Sequence, residues 1–310
     1  MNLDNKEEVL VSVLIPNYKR DYELKRAIQS VLIQSYKTLE ILIVDDCSPN
    51  IEEIKQIVQE FNDTRITLLI HEYNKGGGGA RNTGIVAANG KYIAFLDSDD
   101  TWEPTKIEEQ VLLSEQYDRE VLCYTKSNIY TNNWVKIQPS RGIDEREPIS
   151  DYLFANNGFI PTPSIFVTAS LAKRCLFDEN LKRHQDYDFL FKLEEEKVKV
   201  IFVNKSLTNV IWIGNQELLG KGWSSSFSYD FFTNNKKSMT DKAYANALFH
   251  SVIYNSAIYE SRFKSIRYIL ENMKFMKFIQ KKVLIKYFIR LILDKKIINF
   301  LLKYTNLRVK

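Results

Sequence analysis

Three aspartates stand within four positions of one another, Asp97, Asp99 and Asp100, directly after the uncharged run Tyr92–Leu96. Carboxylates this close repel one another unless a cation neutralises them. Mg²⁺ and Mn²⁺ take oxygen ligands of this kind and often share them with a substrate's phosphates. The alternative role for the same residues is a polar turn leading into a helix N-cap. A second acidic pair, Asp45 and Asp46, follows the apolar run Glu40–Val44. Either carboxylate suits a base N–H or a ribose hydroxyl, and equally an Asx turn or the cap of the next helix. A third candidate, Asp186, opens a helical stretch after His184 and Gln185. A carboxylate there serves as a general base toward a hydroxyl, or as an acid settled by the helix dipole. His184 reads as a hydrogen-bonded structural residue rather than a metal ligand.

Between the two acidic clusters run Gly76–Gly79, then Ala80, Arg81, Asn82, Thr83 and Gly84. Glycines ahead of a helix let backbone N–H groups approach a phosphate, and Arg81 is a fork-shaped donor suited to a diphosphate. No Gly-Lys-Ser/Thr follows, and the spacing of a dinucleotide fold is absent. The competing role is a flexible connector with a surface arginine.

The elements that must carry these residues alternate. Val9–Ile15, Glu40–Val44, Ile66–Ile70 and Tyr92–Leu96 read as buried strands. Helical spacing follows each: Leu24, Ala27, Ile28, Val31 and Leu32; then Ile51, Ile54, Ile57, Val58 and Phe61; then about Ala80 to Ala88; then Pro104–Tyr117. Alternation of this kind predicts right-handed βαβ units and a mainly parallel sheet flanked by helices. Two strands end in aspartates and a third in glycines, so polar chemistry collects at one sheet edge, where α/β folds bind ligands. Beyond Val121–Tyr124 the pattern loosens. Ile129–Ile137 reads as a strand or hairpin, Phe159–Val167 as a strand with a proline-bent entry, and Val198–Val203 and Leu207–Ile213 as two short strands. A Gly/Ser-rich stretch, Gly214–Ser226, has the composition of a lid, and helix is expected from Tyr229 onward. The expected domains are 1–225, holding the sheet, and 226–310, a helical C-terminal extension.

A 310-residue chain with 45% hydrophobic residues supports a large core and excludes wholesale disorder. Its three scattered cysteines, Cys47, Cys123 and Cys175, argue against a disulfide framework and for a reducing compartment. The acidic, polar opening MNLDNKEEVL is not that of a signal peptide. The net charge of +4 is uneven: residues from Lys274 onward carry 11 basic and one acidic side chain, leaving 32 basic and 38 acidic in the remainder. The segment from Lys274 interleaves those charges with Phe, Ile, Leu and Tyr, and Lys286 and Arg290 interrupt any stretch long enough to span a bilayer. It reads as a basic amphipathic surface for an anionic membrane, or as a helix packed on the body with a solvated basic face. The acidic body speaks against nucleic acid as a partner.

Taken together, Val11–Tyr18, the Val44–Ser48 turn, Asn74–Gly84, Leu96–Trp102 and Gln185-Asp186 have the order and spacing of family-2 glycosyltransferases, and over roughly residues 9–215 the chain resembles that family. The resemblance implies a GT-A fold, a UDP-sugar donor, a bound Mn²⁺ or Mg²⁺ and transfer with inversion to a hydroxyl of a glycan or lipid-linked acceptor in bacterial surface polysaccharide synthesis. It implies that Pro16, Tyr18 and Asp45 frame the uridine, with Asp46 as an alternative contact. Gly76 and Arg81 would lie by the donor's base or diphosphate. Asp97, Ser98 and Asp99 would form the DxD motif, with Asp97 toward the ribose and the metal, Asp99 on the metal and Asp100 either beside the donor sugar or supporting the metal ligands from behind. Asp186 would be the catalytic base. The enzyme would be cytoplasmic and peripheral on the inner face of the cell membrane. Two departures stand out. Lys19 occupies the place of an asparagine after Tyr18, and the loop after the last strand carries Trp212 and Trp223 in place of an Arg or His near a serine. Two other readings remain: a haloacid-dehalogenase-like phosphohydrolase with Asp97 as nucleophile, and a non-catalytic nucleotide-sugar-binding protein at the membrane.

Overall fold

The computed structural model describes residues 8–212 and 224–292. Its contacts divide the chain into two compact units, Met1–Leu153 with Asn157–Gln216, and Phe154–Asn156 with Glu217–Lys310. Of the Gly/Ser-rich stretch Gly214–Ser226, the part through Trp223 lies outside the described residues, as does the basic segment beyond Ile292. Residues 224–226 are described and open a helix that starts at Ser225, ahead of the expected Tyr229.

In the first unit, β1 (Val11–Asn17), β2 (Leu39–Asp45), β3 (Ile66–Ile70) and β4 (Tyr92–Phe95) pair in parallel in the order β3-β2-β1-β4. They are linked by α1 (Tyr22–Leu32), α2 (Ile51–Glu60) and α3 (Gly76–Ala87). Then come β5 (Thr101–Trp102), α4 (Lys106–Ser114), β6 (Val121–Tyr130), β7 (Val135–Gln138), β8 (Phe166–Thr168), α5 (Ala169–Cys175), α6 (Gln185–Glu195) and β9 (Lys199–Ile211). The sheet continues β4-β8-β6-β9-β5, with β7 hairpinned on β6. β8 runs antiparallel to both its neighbours, and β9 runs parallel to β6, so the sheet is mixed.

Alternation along β1 shows why its residues read as one apolar run. Val11, Val13 and Ile15 pack with Leu24 and Ile28 of α1 and Ile107 of α4. Leu14 faces the other way, into a cluster with Ile85 of α3, Leu171 of α5 and Phe189 and Leu193 of α6. A strand covered on both faces has no polar side to show. Each fully buried Val, Leu or Ile here contributes roughly 1.5–3 kcal/mol relative to exposure.

Several expectations change. β1 runs through Pro16 rather than ending before it, because pairing to β4 stops at Leu14 and leaves that edge without a ladder bond for proline to break. The two short strands expected after Val198 are one strand, β9, whose register slips opposite Thr125–Ser127. Phe159–Val167 contributes only β8, after a short helical turn over Thr162–Ser164.

The glycine run differs most. It is not a loop ahead of a helix at Ala80; α3 itself begins at Gly76. Gly76 alone among the described glycines takes a left-handed backbone, φ +79°. Gly78 and Gly79 are glycines for space. A Cβ on Gly78 would lie 3.2 Å from Gln185 Nε2, and one on Gly79 would lie 2.5 Å from the Lys75 Cβ. Gly79→Ala is therefore expected to destabilise the fold by about 1–3 kcal/mol through overpacking, although alanine normally gains about 1 kcal/mol over glycine in a helix. Urea unfolding checks the sign; a net gain would show that Lys75 moves aside freely.

The second unit is helical: α7 (Ser225–Asn234), α8 (Asp241–Ala247), α9 (Tyr254–Tyr259), α10 (Arg262–Glu271) and α11 (Lys281–Ile292), with a π-type turn over Leu248–Ile253 joining α8 to α9. Its interior holds Phe231, Phe232, Ala243, Leu248, Phe249, Val252 and Ile253. The Ser224 hydroxyl caps α7 by accepting from Phe227 N at 3.1 Å.

Candidate active site

The carboxyl ends of β1, β2 and β4 lie side by side, so the turns after them form one edge. At β2 the Asp45 carboxylate is enclosed. It accepts from Asn17 Nδ2 at 2.9 Å, and from Ser48 N and the Ser48 hydroxyl at 2.8 Å each. The carboxylate thus closes its own turn from Asp45 to Ser48, and the helix after it is preceded by Asn50 instead. The Ser48 hydroxyl also accepts from Lys19 N at 2.8 Å. Lys19 sits at φ +57°, a backbone that asparagine tolerates better than lysine, which gives a physical reason for the family pattern at this position. Tyr18, just before it, is partly exposed.

Asp46, the alternative uridine contact that the resemblance implies, is buried and already engaged within the fold. Its carboxylate accepts from Lys75 N at 2.8 Å and Gly76 N at 2.7 Å, and meets His71 Nδ1 at 2.8 Å. His71 Nε2 in turn lies 2.8 Å from the Thr83 hydroxyl. Two of the amides at the helix start, those of Lys75 and Gly76, are thus taken by Asp46, which fixes the start of α3 to the end of β2.

At β4 the acids divide. Asp97 Oδ1 receives Arg81 Nη2 at 2.5 Å, and Arg81 Nη1 reaches Gln185 Oε1 at 3.2 Å. Arg81 Nε is buried with no protein partner. Asp99 pairs with Arg20, and its carbonyl accepts from Arg26 Nη2 at 3.2 Å. Asp100 is buried and accepts from Ile211 N at 2.8 Å. Burial first, then the charges of Asp97 and Asp99, hold its carboxyl well above the usual range. Ser98, between the two half-buried acids, is buried.

Gln185 and Asp186 open α6, so the Arg81 bridge brings the start of that helix to the DxD turn. Burial raises the Asp186 carboxyl above its ordinary value; the N–H groups of Tyr187 and Asp186 and the Arg81 charge pull against it, and Asp97 adds to the rise. His184 takes φ +63° before the helix, stacked on Tyr187 with ring centroids 5.6 Å apart. Burial and the nearby Arg183 push its imidazole down to about 4, so it is neutral near pH 7.

Trp212 follows Ile211 directly. It is 44% exposed and meets the Phe159 ring edge-on at 6.1 Å. Arg20 and Arg26, the two cations set against Asp99, escaped sequence reasoning because the basic pairs Lys19-Arg20 and Lys25-Arg26 read as solvated charges around a helix start and carry no signal for a site. The one available cue was their place after β1, at the same sheet edge as the acids.

Residues 12–181 match the model of the family described as Glycosyl transferase family 2. The chain belongs to this family. It is a glycosyltransferase. Among its relatives, the amylovoran biosynthesis glycosyltransferase AmsB of Erwinia amylovora is 32% identical over 229 residues, covering 72% of this chain and 76% of that one. The putative colanic acid biosynthesis glycosyl transferase WcaA of Escherichia coli K12 is 31% identical over 77% of this chain and 85% of its own. An Escherichia coli protein named UDP-Glc:alpha-D-GlcNAc-diphosphoundecaprenol beta-1,3-glucosyltransferase WfgD is 46% identical over 105 residues, 34% of this chain and 41% of that protein. In fold the chain is similar to S. aureus TarS 1–349 crystallised with UDP-GlcNAc. The TM-score is 0.63 at 17% identity, over 88% of this chain and 82% of that one. The fold is the GT-A arrangement, and family membership removes the phosphohydrolase reading of Asp97.

Proposed function

We propose that the enzyme transfers a hexose or N-acetylhexosamine from a UDP-sugar to a hydroxyl of a glycan or lipid-linked acceptor, with inversion and with a divalent cation, in bacterial surface polysaccharide synthesis. The observation that carries this reading is the Arg81 bridge, which ties the DxD acid Asp97 to Gln185 and so to the neighbouring acid Asp186. The names of WfgD and TarS supply the donor class, and the diphosphoundecaprenol in the former name supplies the lipid-linked acceptor.

Pro16, Tyr18 and Asp45 frame the uridine, while Arg81 offers its unpartnered Nε to the diphosphate. Asp100, its carboxyl pushed up by burial and by the charges of Asp97 and Asp99, lies beside the donor sugar. Asp186 takes the acceptor proton, a task for which a raised pKa suits a carboxylate, since a stronger base pulls harder on the hydroxyl. Among the described residues no set of three or more His, Cys, Asp or Glu side chains forms a metal cage. Asp97 and Asp99 nevertheless fit a cation that takes one or two carboxylates and completes its shell with substrate phosphates. When bound, such a cation offsets the charge that develops on the departing diphosphate. Direct attack by the acceptor hydroxyl, with no covalent enzyme intermediate, gives inversion. The basic segment from Lys274 supports a peripheral position on the inner face of the cell membrane.

A screen of nucleotide-sugars for nucleotide release tests this reading. Release is expected from a UDP-sugar with Mn²⁺ or Mg²⁺, and loss of release with EDTA. Release only from a GDP-sugar, or indifference to EDTA, overturns the donor or the metal assignment respectively.

A further inference from the structure

The helical unit carries an apolar stripe that its own packing leaves bare. On α10, Ser265 and Tyr268 point inward. The Ser265 hydroxyl lies 2.5 Å from both the Ile253 carbonyl and the Tyr287 hydroxyl. On the opposite side of the same helix, Phe263, Ile266 and Leu270 recur at i, i+3 and i+7, and are 85%, 40% and 60% exposed. α11 repeats the arrangement. Tyr287 is buried and packs on the Phe249 ring at 5.3 Å, while Ile285, Phe288 and Ile289 face out. Both helices therefore rest on the same segment, residues 248–259, and turn large apolar side chains to solvent.

The charge around the stripe indicates what covers it. From Arg262 to Ile292 the chain holds nine Lys/Arg and a single acid, Glu271, which is itself paired with Arg267 at 2.7 Å. Protein interfaces are depleted in lysine, whereas a surface helix that enters a bilayer combines exposed Phe, Leu and Ile with a basic flank. No helix of the described residues is long and apolar enough to cross a membrane, so the stripe would lie along a surface rather than span one.

We propose that α10 and α11 dock the helical unit on an anionic lipid surface. Phe263, Ile266 and Leu270 enter the boundary between headgroups and acyl chains, and the surrounding lysines and arginines meet lipid phosphates. The stripe on α10 lies upstream of the basic segment that the sequence singles out. The proposal shares with the reading above only the peripheral location, and binding is measured apart from turnover.

The test is co-sedimentation of the full chain with phosphatidylcholine vesicles, with and without phosphatidylglycerol. A Phe263→Ser/Ile266→Ser/Leu270→Ser variant is run alongside; its changes lie on the solvent side of α10 and leave Ser265 and Tyr268 in place. The wild-type protein is expected to partition onto the anionic vesicles and to be released as salt rises. The triple variant is expected to lose at least about tenfold in partition, with an unchanged circular dichroism spectrum and unchanged release from the UDP-sugar. Equal partition of variant and wild type overturns the proposal, as does equal binding to neutral vesicles. Absence of vesicle binding together with a wild-type dimer that the triple variant dissolves also overturns it, and makes the stripe a protein interface. Vesicle binding without donor turnover would leave the surface standing and remove the donor assignment instead.

Discussion

Asp186→Asn is expected to lower kcat by about 10²–10⁴-fold, the usual contribution of a positioned general base, while UDP and Mn²⁺ bind almost as before. The expectation follows from where the residue sits. It lies in the first turn of α6, beside the Gln185 that Arg81 holds, so the amide variant keeps the shape of the site and loses only the proton acceptor. The same placement fixes the pH profile. A base works deprotonated, and burial raises this carboxyl above the ordinary carboxylate value. Activity should therefore fall with acid at a pH above that at which an exposed aspartate titrates. Asp97 contributes to the rise, so Asp97→Asn should move the acid limb to lower pH in whatever turnover it retains. Isothermal titration with UDP and Mn²⁺ separates this from a loss of donor binding. Unchanged turnover in Asp186→Asn would take the residue out of its role, and unchanged turnover with intact UDP binding would leave the base to be sought elsewhere on the acceptor side.

What the sequence made legible is what periodicity and end positions can encode. β1, β2 and β4 were readable because each is buried on both faces, and the acids at their ends were readable because charge rarely follows such a run without a task. The second half of the sheet was less legible. β8 is only three residues long and enters through a helical turn, so it shows no pattern of its own. β9 hides its continuity behind a register slip that places Lys205 and Ser206 mid-strand. The glycine run misled for a specific reason. Four consecutive glycines signal freedom, yet two of them are set by crowding against Gln185 and Lys75, information held in residues distant in sequence or one helical turn away. Asp46 likewise looked like its neighbour. Only the fold shows that one acid turns its own loop while the other anchors α3 through His71 and two backbone amides.

Asp99→Ala is expected to reduce kcat by about 10²–10³-fold and to flatten the dependence on Mn²⁺ or Mg²⁺, in line with the loss of one electrostatic stabiliser at a developing charge. Its effect on stability should have the opposite character. In the folded chain Asp100 is held well above its ordinary pKa by burial and by the charges of Asp97 and Asp99. A carboxyl with a raised folded pKa keeps its proton while the unfolded chain has already lost it. Stability from this group therefore declines as pH rises from the ordinary carboxylate range through the folded value. Removing the Asp99 charge lowers the folded pKa of Asp100 and narrows that window. The cost on the other side is the pair with Arg20, partly exposed on both sides, and such pairs contribute only about 0.2–1 kcal/mol. The variant is thus expected to melt no lower than the wild type near neutral pH while it turns over far more slowly, and added Mn²⁺ with UDP should raise the melting temperature of the wild type but scarcely that of the variant. A variant that melts well below the wild type would mean that Asp99 serves the fold through Arg20. A variant that still responds to Mn²⁺ in both turnover and melting would move the cation to Asp97 alone.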